Sequence, residues 1–221
     1  MNRVAKAPRL PEPPPPSEAV RLAEALIFCA PSPLTAADLA VRLPPGTDVP
    51  AVLAEIARAY AARGLTLARI AGGYAFRTAP DLAPVLRGGL PEPRKLSRAA
   101  LETLAIVAYH QPVTRAEIEE IRGVTTSKGS LDLLLETGWV RLRGRRRTPG
   151  RPVTYGTTPA FLDHFGLDAV SDLPGLDELK GLGLIEGRLP AGFRVPQPGD
   201  EAQADEDPIA DSLAPGDAAA D

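Results

Sequence analysis
Pro33-Leu34-Thr35-Ala36-Ala37-Asp38-Leu39 and Pro112-Val113-Thr114-Arg115-Ala116-Glu117-Ile118 are two copies of one pattern, seventy-nine residues apart. Each copy reads as the start of a helix. The Thr hydroxyl accepts from an orphan backbone N–H, and an acid three residues on reaches back to the cap: a full capping box with Glu117, a shorter variant with Asp38. The apolar residue before each cap is placed to staple onto the fourth helical residue, pairing Leu34 with Leu39 and Val113 with Ile118. The chain therefore contains an internal repeat.

Reading outward, each copy has a helix before it and a helix after it. Ser17 caps the first, with Ala19, Leu22, Ala23, Leu26 and Ala30 on one face. Ser97 caps its counterpart, where Leu96 staples to Leu101 and Leu104, Val107 and Ala108 continue the stripe. Val49, Val52, Leu53, Ile56 and Tyr60 mark the helix after the first copy, closed by Gly64; Leu131, Leu134 and Leu135 mark the second, closed by Gly138. A strand pair follows each glycine. Leu65–Ile70 and Tyr74–Thr78 flank Gly72-Gly73, a two-residue hairpin signal, while Trp139–Arg143 and Val153–Thr157 flank a longer loop. Three helices and a hairpin, twice, predict a mainly α chain with small β-hairpins, built as two tandem winged helix-turn-helix domains. The boundaries are 17–87 for the first and 96–182 for the second, which includes a C-terminal helical extension at Pro159–Phe165 and a weaker one at Leu173–Leu182. Residues 88–95, with Gly88, Gly89, Pro91 and Pro93, form a linker. The termini are expected to be disordered: a Pro-rich leader over 1–16 and an acidic tail over 183–221.

At 221 residues the chain has length for two small cores. Aromatic residues make up only 5%, so Leu, Val, Ile and Ala must build them. No stretch approaches the roughly 20 apolar residues that span a bilayer. The leader lacks the apolar core of a secretory signal, and Cys29 has no partner for a disulfide, so a reducing cytoplasm is expected. The net charge of −3 is unevenly spread. Pro196–Asp221 carries eight acids and no base, which leaves +5 on Met1–Val195. A basic body permits a nucleic-acid partner without requiring one.

Catalytic chemistry finds no footing. His110 and His164 lie fifty-four residues apart, with no Cys or second His at metal-ligand spacing. His110 follows a helix, where it favours the carbonyl end of the dipole, and His164 sits near Phe161 and Phe165. Cys29, among small residues at a helix end, reads as a packed thiol. Glu117 is a cap partner, and Glu119 and Glu120 face solvent or pair with Arg115 and Arg122. No phosphate-binding loop or dinucleotide fingerprint appears. The expectation is a non-enzymatic protein with no catalytic residue, no cofactor and no metal.

Two surface features remain. Arg141, Arg143, Arg145, Arg146, Arg147 and Arg151 cluster on and around the second hairpin, with Arg145–Arg147 expected in the wing loop. They suit a phosphate, an acidic protein surface, or merely a solvated wing neutralised by the acidic tail, with a slight lean to a protein contact. Sequence-selective DNA reading is weaker, since the third helices offer Ala51, Ala54, Glu55, Asp132 and Glu136 where base readers carry Arg, Asn or Gln. On the first helix, Val20, Ile27 and Phe28 lie off the stripe of Leu22 and Leu26. An apolar second face invites a partner, so these three are the candidate dimer contacts.

Two blocks resemble one family. Leu96–Val124, LSRAALETLAIVAYHQPVTRAEIEEIRGV, and Gly150–Leu167, GRPVTYGTTPAFLDHFGL, are similar to segregation and condensation protein B. Thr125-Thr126-Ser127-Lys128-Gly129, opening the third helix of the second domain, departs from that likeness. The resemblance implies an adaptor in chromosome segregation and condensation, associated with the nucleoid. It implies a homodimer formed through the first domain, and a second domain gripping the kleisin subunit, segregation and condensation protein A. Through the kleisin it would meet a structural-maintenance-of-chromosomes ATPase. A weak non-specific DNA contact is compatible with this; a membrane partner is not expected. The rival reading is a winged-helix DNA-binding transcriptional regulator.

Overall fold
The computed structural model describes residues 17–87, 96–126, 128–175, 199 and 206–208. The expected leader, the linker and the helix beyond Gly175 lie outside them. The described residues are helical with small antiparallel sheets and form two compact units: 17–68 with 74–83, and 69–73 with the residues from 84 onward.

In the first half of the chain, α1 (Glu18–Cys29), α2 (Ala36–Arg42) and α3 (Val49–Tyr60) precede β1 (Leu65–Ile70) and β2 (Gly73–Thr78). Their ends follow the local signals. Ser17 accepts from the Val20 N–H at 3.3 Å, and Asp48 accepts from the Ala51 N–H at 3.1 Å. At α2 the Thr35–Asp38 box is complete, with the Asp38 N–H donating to Thr35 and the Thr35 N–H donating back. Leu34 and Leu39 are both buried, as stapling requires. Val49, Val52, Leu53 and Ile56 supply the α3 face of a core completed by Val20, Ala23, Ile27 and Leu43. The hairpin turn is displaced by one residue from Gly72-Gly73. Ala71 and Gly72 both have positive φ, at 51° and 75°, so they form the turn while Gly73 already opens β2.

The core-facing stripe on α1 is wider than the sequence reading: Ala23 is buried and Ala19, Leu26 and Ala30 pack against the core as expected, but Val20 and Ile27 join them and Leu22 does not. Val20, Ala23 and Ile27 are the buried positions, whereas Leu22 is 38% exposed. Val20 and Ile27 therefore belong to the core, and of the three candidate dimer contacts only Phe28 stands free, at 72% exposure. The physical reason is that apolar residues spread around more than one stripe of α1. β-branched Val20 and Ile27, with small Ala23 between them, face the α3 residues Val52, Leu53 and Ile56 in one core, Leu26 packs at its margin, and Leu22 is left outside. Cys29 is exposed rather than packed.

The second unit contains α5 (Arg98–His110), β3 (Val113–Thr114), α6 (Arg115–Arg122), α7 (Lys128–Glu136), β4 (Val140–Arg146), β5 (Val153–Thr157) and α8 (Pro159–Phe165), after the short α4 (Ala83–Arg87). The repeat is visible in space as well as in sequence. Leu34 forms a bridge with Tyr74, and Val113 pairs with Tyr155, so the residue before each cap is tied to the second strand of its hairpin. Helix α7 forms despite its departing N-terminal sequence, with Leu131 and Leu134 buried against Leu104, Val107 and Ile118. Gly138 takes φ 71° just past α7, the left-handed ending the sequence predicts. Leu96 packs against this core, while Leu101 is 51% exposed.

Strand β4 is longer than predicted, and its sheet has a fourth member. The order is β3-β5-β4-β6, where β6 is Glu206–Pro208 from the acidic tail. It pairs antiparallel with β4 in the register Gly144 to Pro208, Arg145 to Asp207 and Arg146 to Glu206. A disordered tail was expected there. Three of its residues instead complete a sheet edge.

Candidate functional site
Two surfaces of the second unit have the character of binding sites. The first is an apolar groove between α5 and α8. On α5, Leu101, Leu104, Ala105 and Ala108 recur at helical spacing on one face. On α8, Phe161 and Phe165 are four residues apart and their rings lie 4.7 Å centroid to centroid. Thr158 fixes this helix, accepting from the Phe161 N–H at 3.2 Å and donating to the Gly138 carbonyl at 2.5 Å. Behind Phe165, Trp139 stacks on His164 at 4.3 Å, so His164 serves packing. At the far wall the Tyr109 hydroxyl donates to the Pro174 carbonyl at 2.7 Å and holds Leu173 and Pro174 in place. The groove has a volume of about 350 Å³ and an almost wholly apolar lining. Leu104 and Phe161 form its buried floor, while Leu101 and Phe165 remain half exposed at its rim. Sequence reading missed it. The signals were the apolar Leu101 beside the main stripe and the Phe161/Phe165 pair at i,i+4 spacing.

The second surface is the arginine cluster on β4 and its loop. The six arginines divide by environment. Arg145 and Arg146 lie in the strand, not in the wing loop. Arg146 is buried and donates to the Pro112 carbonyl at 2.9 Å and to Glu117 at 3.1 Å, so it braces the start of α6 and is removed from any partner's reach. Arg141 donates to the Thr157 carbonyl at 3.3 Å. The Arg143 side chain is also covered; its stem crosses the site where a Cβ at Gly156 would stand, and its guanidinium lies 3.8 Å from Glu206. Arg147 and Arg151, by contrast, are well exposed and bind Asp207 at 2.6 and 2.7 Å. Their guanidinium groups, Arg147 above all, hold the Asp207 carboxyl below the usual aspartate range. Arg145 is exposed, and its guanidinium donates to the neighbouring Arg151 carbonyl at 3.3 Å. Within the chain itself, Asp207 of the acidic tail neutralises two of these six arginines.

On the first half of the chain, exposed Leu22, Ala25 and Phe28 line two shallow clefts on the outer side of α1. On α7 the exposed positions include Gly129, Asp132 and Glu136, a poor set for reading base edges. Among the described residues, no group of three or more His, Cys, Asp and Glu could hold a metal ion, and no helix is long and apolar enough to cross a membrane.

Comparison with known proteins gives a consistent picture. A family model described as segregation and condensation complex subunit ScpB matches residues 21–176. Segregation and condensation protein B of Moorella thermoacetica is 48% identical over 161 residues, covering 71% of this chain and 82% of that relative. The protein of the same description from Syntrophotalea carbinolica is 47% identical over 164 residues, covering 72% and 82%. Among solved structures, that of ScpB from Mycobacterium tuberculosis is 36% identical, covers 68% of this chain and 96% of that one, and gives a TM-score of 0.31.

Proposed function
The chain belongs to the segregation and condensation complex subunit ScpB family, whose role is in chromosome segregation and condensation, and from that premise we infer that it is a non-enzymatic adaptor gripping the complex's kleisin subunit with its second domain. In this reading the two repeats are tandem winged helix-turn-helix domains. The first dimerises through the outer face of α1, and the second binds a central kleisin segment, which links to a structural-maintenance-of-chromosomes ATPase. The setting is the cytoplasm, at the nucleoid.

The observation that carries the reading is the α5–α8 groove. It is apolar, open, and walled by two capped helices and the Tyr109–Pro174 bond. A groove of this shape takes the apolar face of a short helix or turn. Because its walls are already fixed, binding a partner incurs little ordering cost on this side of the interface. Isothermal calorimetry of the full chain with the kleisin's central region is the direct test. Stoichiometric binding, with a heat-capacity decrease from apolar burial, is expected; no heat at concentrations up to about 100 μM defeats the reading.

The rival reading, a DNA-binding regulator, would draw on Arg145, Arg147 and Arg151 for phosphate contacts. Sequence-selective DNA binding by the full chain at physiological salt would favour it. The acids exposed on α7 count against that outcome.

A further inference from the structure
The outer edge of β4 is built to receive a particular extended segment. Gly144 sits opposite Pro208, and a Cβ there would collide with the Asp207 carbonyl and come within 2.9 Å of Glu206 Cγ. Any other residue at 144 would push the strand away. Glycine inside a strand weakens it, and it commonly marks a place where another backbone approaches closely. Gly156, on the neighbouring strand, makes the matching space for the Arg143 stem, which turns that guanidinium toward Glu206. Glu206 is itself buried; its side chain is 2% exposed and accepts from the Thr154 hydroxyl at 2.5 Å. Asp207, one residue on, faces the opposite way and takes Arg147 and Arg151 together. The edge thus has a backbone rail, one buried carboxylate pocket and one exposed two-arginine clamp. Sheet edges left open invite pairing with other chains, and a strand laid along the edge from the same chain closes it.

We propose that this edge is a strand-acceptor site for an extended acidic peptide, that the chain's own Glu206–Pro208 is its resident occupant, and that this occupant blocks the arginine wing against acidic partner strands until it is released. Recognition is by chemistry: a segment with successive acids, one able to enter the Arg143–Thr154 pocket and the next able to bridge Arg147 and Arg151. The thirty residues between Gly175 and Glu206, at up to about 3.3 Å each, give ample reach for the segment to leave and return. A tethered occupant competes at an effective concentration in the millimolar range, so a free peptide of equal quality is largely excluded from the intact protein. The site is separate from the α5–α8 groove, and its failure would leave the kleisin reading untouched.

The test uses full-length chain and a fluorescein-labelled peptide copying residues 201–212. Fluorescence anisotropy at low salt should give weak binding to the unaltered protein. The E206A/D207A variant, whose own segment can no longer compete, should bind the peptide about tenfold or more tightly, since apparent affinity scales with the fraction of open sites. Adding R147A/R151A to that variant should remove the gain; both arginines are exposed, so folding is not at stake. Addition of the bulk in G144V, checked for folding by circular dichroism, should abolish binding in the opened background. Equal peptide affinity for unaltered and E206A/D207A protein overturns the proposal. So does a gain in affinity for double-stranded DNA with none for the peptide. If E206A/D207A instead turns a dimer into monomers in light scattering, the strand is exchanged between copies and the intramolecular block is overturned.

Discussion

The Glu117 carboxylate that accepts from the Thr114 N–H at 2.6 Å, closing the cap of α6, also accepts from Arg146 on β4 at 3.1 Å. One side chain therefore ends a helix and ties that helix to the sheet. The guanidinium in turn reaches the Pro112 carbonyl, and its own side chain is only 9% exposed. Hydrogen bonds to a charged group are worth roughly 1.5–3 kcal/mol each, and orphaning a buried acceptor costs a comparable amount. R146A should therefore destabilise the second unit by about 2 kcal/mol, with R146E worse because it faces Glu117. R145A, on the exposed side of the strand, should stay within about 0.5 kcal/mol of the unaltered protein. Urea unfolding followed by Trp139 fluorescence reads both. Equal midpoints for R146A and R145A would mean that the brace adds nothing.

The two faces of α1 should separate stability from association. I27A empties a fully packed position next to Ile56 and Leu53 and should cost about 2–4 kcal/mol. F28D alters a side chain already 72% in solvent and should leave stability nearly unchanged. If the first domain dimerises through this outer face, F28D combined with L22D should give monomers in light scattering at micromolar concentration. A dimer that survives both substitutions would move the interface off α1.

Burial lowers the pKa of His110 below the usual histidine value. The folded state thus prefers the neutral ring. The resulting contribution to stability is fully present above about pH 6.5, the ordinary value of the unfolded chain. It is lost as the pH falls through the lower folded value. An NMR titration of the two imidazoles should place the His110 midpoint under 6.5, and H110Q should flatten the loss of stability between neutral pH and about pH 5. A midpoint at or above 6.5 would show that the ring is better hydrated than its position implies.

The features legible in the sequence were those set by neighbours along the chain. Thr35 with Asp38, Thr114 with Glu117, Ser17, Ser97 and the left-handed Gly138 all act within one helical turn, and all are found in place. The α3 face was equally clear because Val49, Val52, Leu53 and Ile56 form one apolar stripe with no competitor. On α1 the apolar residues reach beyond a single stripe, and only the approach of α3 decides that Val20 and Ile27 are covered while Leu22 is not; periodicity carries no sign for that choice. The arginine cluster was legible as charge but not as geometry. Whether Arg146 faces water or Pro112 depends on a partner thirty-four residues away, and the role of Asp207 depends on one sixty residues away. Gly144 and Gly156 were the overlooked signals: two glycines inside strands are a record of close approach, though not of what approaches.

The α5–α8 groove gives the sharpest test of the adaptor reading. Leu101 is half exposed and lines the groove together with buried Leu104 and Phe161. Placing a carboxylate there leaves the free protein almost unaffected, because the new charge remains hydrated. In a complex the same carboxylate would be covered by the partner's apolar face and stripped of water. Burying an unpaired charge or polar group costs several kcal/mol, so binding should weaken by roughly 2–4 kcal/mol, or about 30- to 1,000-fold. L101D should accordingly lose the calorimetric signal with the kleisin's central region while its unfolding midpoint moves by less than about 0.5 kcal/mol. The control is R145A, on β4 and outside the groove lining, which should bind normally. L101A adds a graded check: losing one side chain from the rim, with no charge introduced, should weaken binding by only about 1 kcal/mol. Full affinity in L101D would place the kleisin contact elsewhere. Loss of affinity in F28D instead would assign the contact to the first domain and leave the groove without its partner.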